Sequence, residues 1–265
     1  MGFFLTLVQV NRVGGSVVAN ALSNIHNLTP AEIGVVIGVM FLSSALVQIP
    51  FGIMLDRFGA RRMIVGWSSV AIIGTVIFGL AETSSGLTVG RTLIGIGHGA
   101  SITGVYLLAL AWASPERVAS VAATTIAVAG ALGGMIGTAP LAASIQYVGF
   151  TDTFLYLAVV SLLSSILIWF FVDDRPPEAR IENTKENSKT AILGLLEVIK
   201  DRNLWPIFAM ALCFSVPFAT IGGLWVGPFL RDMGGSGIAL TIFNFTLIIL
   251  FNSESFIVEI KLIIV

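Results

Sequence analysis

Two groups of polar residues stand inside apolar stretches at helical spacing. Gln9, Arg12, Ser16, Asn20 and Ser23 follow one another at steps of 3, 4, 4 and 3, which places them in one stripe down a helix. Arg91, Gly95 and His98 repeat at 4 and 3. Tyr106 returns to nearly the same face, and Ser101 drifts to its edge. These side chains offer guanidinium, amide, hydroxyl and imidazole groups, which bind an anion rather than break a bond. Arg12 is the sharpest case, because an arginine inside a membrane costs about 2.5–3.5 kcal/mol even on lenient scales. Counted from Gly2, it lies roughly 15 Å along a helix at 1.5 Å per residue, near mid-membrane. It therefore reads as an anion ligand in a central cavity; the competing reading has it snorkelling to headgroups. His98 reads equally as a ligand or as an imidazole satisfied by a neighbouring helix. Tyr106 reads equally as a ligand or as a packing aromatic. Arg91 reads first as a structural or gating residue.

Other chemistries find no support. His26 and His98 are the only histidines and Cys213 the only cysteine, so no internal disulfide or cysteine-based metal cluster is expected. There is no His-Glu-x-x-His and no pair of carboxylates inside an apolar stretch. The chain is expected to be no enzyme and to need no cofactor or metal. Fourteen Lys and Arg against fifteen Asp and Glu leave a net charge of −1, which gives no basic excess for nucleic acid.

The elements that position these residues are membrane helices. The 265 residues are 56% hydrophobic and only 11% charged, against roughly 25% charged in soluble domains. Uncharged runs cover Ile33–Leu55, Met63–Ala81, Thr92–Ala113, Val118–Ile145, Phe154–Val172 and Leu204–Leu230. Each is long enough to cross a bilayer, where a helix needs about 20 apolar residues. Gly2–Ser23 makes a seventh span, interrupted only by Arg12. The runs do not alternate as barrel strands would, so the chain is expected to be an all-α membrane protein. Arg57, Arg61, Arg62, Arg117 and the basic residues of 175–202 fall on one side, while Arg91 and Arg231 fall on the other. The positive-inside rule then puts the N-terminus in the cytoplasm of an inner, plasma-membrane setting.

Four segments follow. Residues 1–172 hold six spans, and 173–203 form a polar cytoplasmic linker with Pro176-Pro177. Residues 204–234 carry the seventh span. Residues 235–265 form an atypical tail, where Gly, Ala and Val give way to Ile, Leu, Phe and Asn. That change reads as a frameshift or a truncation with an unrelated end.

The loop after the second span carries Gly52-Ile53-Met54-Leu55-Asp56-Arg57-Phe58-Gly59-Ala60-Arg61-Arg62. Gly52 is expected to let two helices approach, and Gly59 to allow the tight turn. Asp56 is suited to face a helix N-terminus. This segment resembles the signature loop of the major facilitator superfamily, with Ala60 in place of a commoner Arg or Pro. Arg91-Thr92-Leu93-Ile94-Gly95-Ile96-Gly97 is similar to the Arg-x-x-x-Gly-x-Gly motif of that family's fourth helix. Ala45–Pro50 and Gly223–Asp232 are also similar to family segments, so the resemblance covers about residues 1–234.

The resemblance implies a twelve-helix secondary transporter of two six-helix halves, each made of two inverted three-helix repeats, with the solute held between the halves. Arg12, Gln9, Ser16, Asn20, His98, Ser101 and Tyr106 would then line the solute site. Gly52, Asp56, Arg57, Gly59, Arg61, Arg62, Arg91, Gly95 and Gly97 would form the gating and signature elements. An arginine near this place on the first helix also resembles members that carry anions. A small organic anion is therefore the expected solute, and the lipid bilayer the expected surroundings. This chain offers one six-helix half plus one helix, so a homodimer or a missing second half is expected to complete the site. The competing reading is a remnant or subunit that folds without transporting.

Overall fold

A computed structural model describes residues 1–99, 101–174, 200–206, 209–210 and 213; the side chains of 26, 49, 56, 57 and 203 lie outside this description. The described residues are helical, with no strand among them. In chain order the helices are α1 (Gly2–Val13), α2 (Gly15–His26), α3 (Pro30–Phe58), α4 (Ala60–Leu80), α5 (Ser84–His98), α6 (Ser101–Trp112), α7 (Val118–Ile136), α8 (Ala139–Tyr147) and α9 (Phe150–Phe171). A 3-10 turn at Pro115–Arg117 precedes α7, and another covers Arg202–Leu204.

Among the described residues five stretches are long and apolar enough to cross a membrane, and the bent first pair makes a sixth. α3, α4 and α9 are single apolar helices, α5 with α6 and α7 with α8 make longer ones, and α1 with α2 forms one crossing bent by 49°. The expected seventh span and the tail fall outside the described residues, apart from the few positions between 204 and 213.

Local chemistry sets the ends. Thr29 Oγ1 accepts from the Glu32 N–H, and the Thr29 N–H donates to Glu32 Oε2 at 2.9 Å. That reciprocal cap, with Pro30 at the first helical position, starts α3. Thr83 caps α5 by accepting from the Gly86 N–H at 3.2 Å. Buried hydroxyls bond back to their own helix, as Thr75 does to the Ala71 carbonyl at 2.8 Å, so they enter the apolar interior satisfied.

The packing has a pattern. The first span packs on the fifth through α1 and α7, the second on the fourth through α3 and α5, and the third on the sixth through α4 and α9. Exchanging spans one to three with four to six reproduces these pairings. Three crossings per unit invert the second unit relative to the first, which is the expected six-helix arrangement of two inverted repeats. Two apolar clusters fill the bundle. One gathers Phe4, Val8, Phe51, Leu55, Ile64 and Val105; the other gathers Leu22, Val36, Met40, Phe78, Ile94 and Phe154.

Glycines let the helices close. A Cβ on Gly90 would lie 2.7 Å from the Phe78 nitrogen, and one on Gly74 would lie 2.7 Å from the Ile94 nitrogen, so α4 and α5 touch almost backbone to backbone. Gly133 of α7, and Gly137 just after its end, lie close against α1. The expected close approach at Gly52 is not found. A Cβ there, or at Gly34 or Gly38, would meet nothing within 4 Å. These three share one face of α3 that the described bundle leaves open.

Candidate functional site

The site grows from the break in the first span. The Gly14 N–H donates to the Val10 carbonyl at 2.9 Å, and the chain resumes as helix at Gly15. Gly14 itself is pressed against the fifth span: a Cβ on it would lie 2.6 Å from Leu141 Cδ2. A Gly-Gly step in this packing bends the helix where a larger residue could not fit. Asn11 and Arg12 form the last turn before the bend.

Arg12 is partly exposed, and its Nη2 lies 3.4 Å from Ser44 Oγ on α3, a long and weak hydrogen bond. Arg91 is fully enclosed, at 1% exposure. Its Nη1 donates to the Asn11 carbonyl at 3.2 Å and lies 3.3 Å from Met40 Sδ. The guanidinium carbon sits 4.6 Å from the centre of the Phe78 ring, a favourable cation–π arrangement. Among the described residues neither arginine meets an acidic side chain within salt-bridge distance.

His98 is buried, with its ring edge-on to Phe4 at 6.1 Å and no protein partner for Nδ1 among the described residues. Its carbonyl accepts from Ser101 Oγ at 2.8 Å. Arg12 of α1 and Arg91 of α5 thus both reach α3, at Ser44 and Met40, and His98 lies two turns beyond Arg91 on α5.

The other expected ligands distribute differently. Gln9 turns toward α7, where its Nε2 is 3.5 Å from the place a Gly130 Cβ would take. Ser16 is buried on α2, Asn20 is partly exposed and Ser23 is exposed. The break at Gly14 explains the scatter, because a single stripe of these five residues requires an unbroken helix. Ser101 and Tyr106 lie on α6, beyond the interruption after His98, and Tyr106 is 38% exposed. Arg91 sits two turns inside α5, which begins at Ser84; it is deeper than the charge-free run starting at Thr92 implied. Gly95 faces the Met40 carbonyl and Ser43 of α3, and Gly97 faces Ala71 and Trp67 of α4. Sequence reasoning did not single out Asn11, Met40 or Ser44 as partners of the arginines. The Gly14-Gly15 pair, two residues after Arg12, is the sign of the bend that the sequence carries.

A second polar cluster lies at one end of the bundle. Gly59, at φ +85°, turns α3 into α4. The Asp174 carboxylate accepts from the Arg61 N–H at the start of α4, where a helix N-terminus favours an anion. Arg61 Nη1 bonds Asp173 Oδ1 at 3.1 Å, and its guanidinium lies 4.8 Å from the Trp169 ring centre. Trp112 Nε1 donates to the Asp173 carbonyl at 2.8 Å. Arg62 is exposed, and the side chains of Asp56 and Arg57 lie outside the described residues. A largely apolar cleft of about 750 Å³ opens at this end, bounded by Leu108, Trp112, Arg117, Val121 and Phe171. It does not reach Arg12, Arg91 or His98.

A sequence profile of the Major Facilitator Superfamily matches residues 1–258. The chain belongs to the Major Facilitator Superfamily. The match runs past residue 234, beyond the motifs that first pointed to the family. An uncharacterized transporter from Buchnera aphidicola is 32% identical over 192 residues, 71% of this chain and 48% of the relative. A putative tartrate transporter from Agrobacterium vitis is 27% identical over 239 residues, 80% of this chain and 51% of the relative. The human synaptic vesicular amine transporter is 29% identical over 185 residues, 68% of this chain and 34% of the relative. A crystal structure of a bacterial homolog of the human lysosomal transporter Spinster, inward-facing and unoccupied, superposes with a TM-score of 0.69 at 18% identity. That superposition covers 93% of this chain and 58% of the other. The chain thus spans about half the length, or less, of these curated relatives. It is an integral membrane protein of a transporter family and not an enzyme.

Proposed function

We propose that this chain supplies the solute-recognising half of a secondary transporter for a small organic anion, with Arg12 as the anion's ligand. The observation that carries this is the state of the Arg12 guanidinium. It stands at the bend of the first span, partly open, with one long bond to Ser44 and, among the described residues, no acid within salt-bridge distance. A cation left in that state inside a membrane is expensive unless a solute or a cavity compensates it. Family membership alone does not choose the sign of the solute, since relatives are named for tartrate and for amines. The two arginines, neither within salt-bridge distance of an acid among the described residues, favour an anion. His98 and Ser16 stand as secondary contacts. In this reading Gln9, Asn20, Ser101 and Tyr106 serve as outer contacts.

In this reading the solute is reached alternately from each side of the membrane. The cluster of Gly59, Arg61 and Asp173 lies on the cytoplasmic side, with the N-terminus. A second bundle, from a further stretch of chain or a second copy, closes the site opposite α1 and α5.

The test is tartrate binding to the purified chain in lipid nanodiscs, by calorimetry. Arg12→Ala should weaken binding about 10- to 150-fold, the equivalent of a charged hydrogen bond of about 1.5–3 kcal/mol. Arg12→Lys should recover part of that loss, because an ammonium keeps the charge without the forked donor geometry. Tartrate binding that is equal in wild type and Arg12→Ala would remove Arg12 from the site.

A further inference from the structure

We infer that Arg91 is a positioning residue for Arg12: it holds the first span bent by gripping the Asn11 carbonyl from the fourth span. The inference rests on the reading of Arg12 as the anion's ligand.

The bend leaves helix backbone to be satisfied inside the bundle. In a continuous helix each carbonyl bonds the N–H four residues on, and Asn11 lies where that ladder is interrupted at Gly14. Its carbonyl accepts instead from Arg91 Nη1 at 3.2 Å, across eighty residues of sequence. Unpaired backbone groups are costly away from water, so the guanidinium supplies what the bend removes.

Arg91 is not itself placed to meet a solute. It is 1% exposed, roofed by Phe78 on one face and flanked by Met40 Sδ. The void beside it, lined by Val10, Asn11, Val18, Leu141, Phe154 and Leu157, has no room for a water molecule. The side chain acts through the peptide that joins Asn11 to Arg12. That peptide also carries the Cα of Arg12, so fixing it fixes where the Arg12 guanidinium begins. Gly95, one turn after Arg91 on α5, meets the Met40 carbonyl and Ser43 closely enough to seat α5 on α3. Ser44, the partner of Arg12, is the next residue of α3. One helix thus sets both ends of the Arg12 contact.

The sequence provides a direct probe. Asn11-Arg12 is the one Asn-Arg step in the chain, so ¹³C-carbonyl Asn with ¹⁵N Arg labelling selects the Asn11 carbonyl in a magnetic-resonance spectrum of the full chain in nanodiscs. Wild type and Arg91→Lys should both show this carbonyl downfield, since an ammonium can also donate to it. Arg91→Met should move it upfield and weaken tartrate binding about tenfold or more, with Arg91→Lys recovering both. An unmoved carbonyl in Arg91→Met would overturn the inference. So would loss of binding in Arg91→Lys as severe as in Arg91→Met. Should Arg91→Met fail to fold, dephasing of the carbonyl by guanidinium ¹⁵N decides the contact. It should be present in wild type and lost in Arg91→Lys, and its absence from wild type overturns the inference. If wild type binds no tartrate, the anion reading falls and takes the functional part of this inference with it. A carbonyl indifferent to residue 91 defeats the inference alone.

Discussion

Single hydroxyl groups do measurable work where α4 meets α9. Ser68 Oγ and Ser165 Oγ lie 2.7 Å apart in a buried contact, and Ser68 also donates toward the Val65 carbonyl at 2.8 Å. Interhelical hydrogen bonds of this kind average about 0.6 kcal/mol in a membrane protein. A double-mutant cycle of Ser68→Ala and Ser165→Ala, read by reversible unfolding in mixed micelles, should give a coupling of about that size. A coupling near zero would show that each hydroxyl is satisfied by its own helix. Neither serine was legible as a pair from the sequence, because each is only a small polar residue in an apolar run. Arg12, by contrast, was visible at once, since an arginine surrounded by apolar residues demands a reason. Its partner Ser44 was not visible, because helix spacing along one span says nothing about which neighbour lies across from it.

At the scale of the helix, the glycines separate into two kinds that the sequence presents alike. Gly90 has the Phe78 backbone at 2.7 Å from a would-be Cβ, whereas Gly38 has nothing within 4 Å. Gly90→Ala should therefore force α4 from α5 and cost about 1–3 kcal/mol. Gly38→Ala should change stability by no more than about 0.5 kcal/mol. Thermal unfolding of the two variants side by side checks this, and equal losses would mean that the face of α3 bearing Gly38 is also packed. The number and order of the six crossings were readable, because uncharged length is dictated by bilayer thickness. The fifth crossing is interrupted where α7 ends at Ile136 and α8 begins with Ala139-Pro140, because a proline cannot donate to the helix ladder. The bend at Gly14 was not anticipated. It depends on Leu141 of a distant span pressing against one glycine, which is a tertiary fact.

For the whole molecule, the ends of the two repeats are tied by Arg61, Asp173, Asp174, Trp112 and Trp169. The parts of that tie should contribute unequally. Asp173 is 58% exposed where it pairs with Arg61, and such pairs are worth about 0–1 kcal/mol. Asp174 instead caps the first turn of α4 through the Arg61 N–H, and losing a cap costs about 1 kcal/mol. Asp174→Ala should therefore speed hydrogen exchange of the amides at 61–63 about fivefold, while Asp173→Asn should leave them nearly unchanged. Equal effects would place the tie in charge alone. The two halves of this tie are also made at different times. The signature loop leaves the ribosome 113 residues before the aspartate that caps it, and chains are built from the N-terminus. The first repeat must wait in the membrane with that helix end uncapped until α9 has been threaded, so completion of the sixth crossing is the event that seals the second-to-third turn.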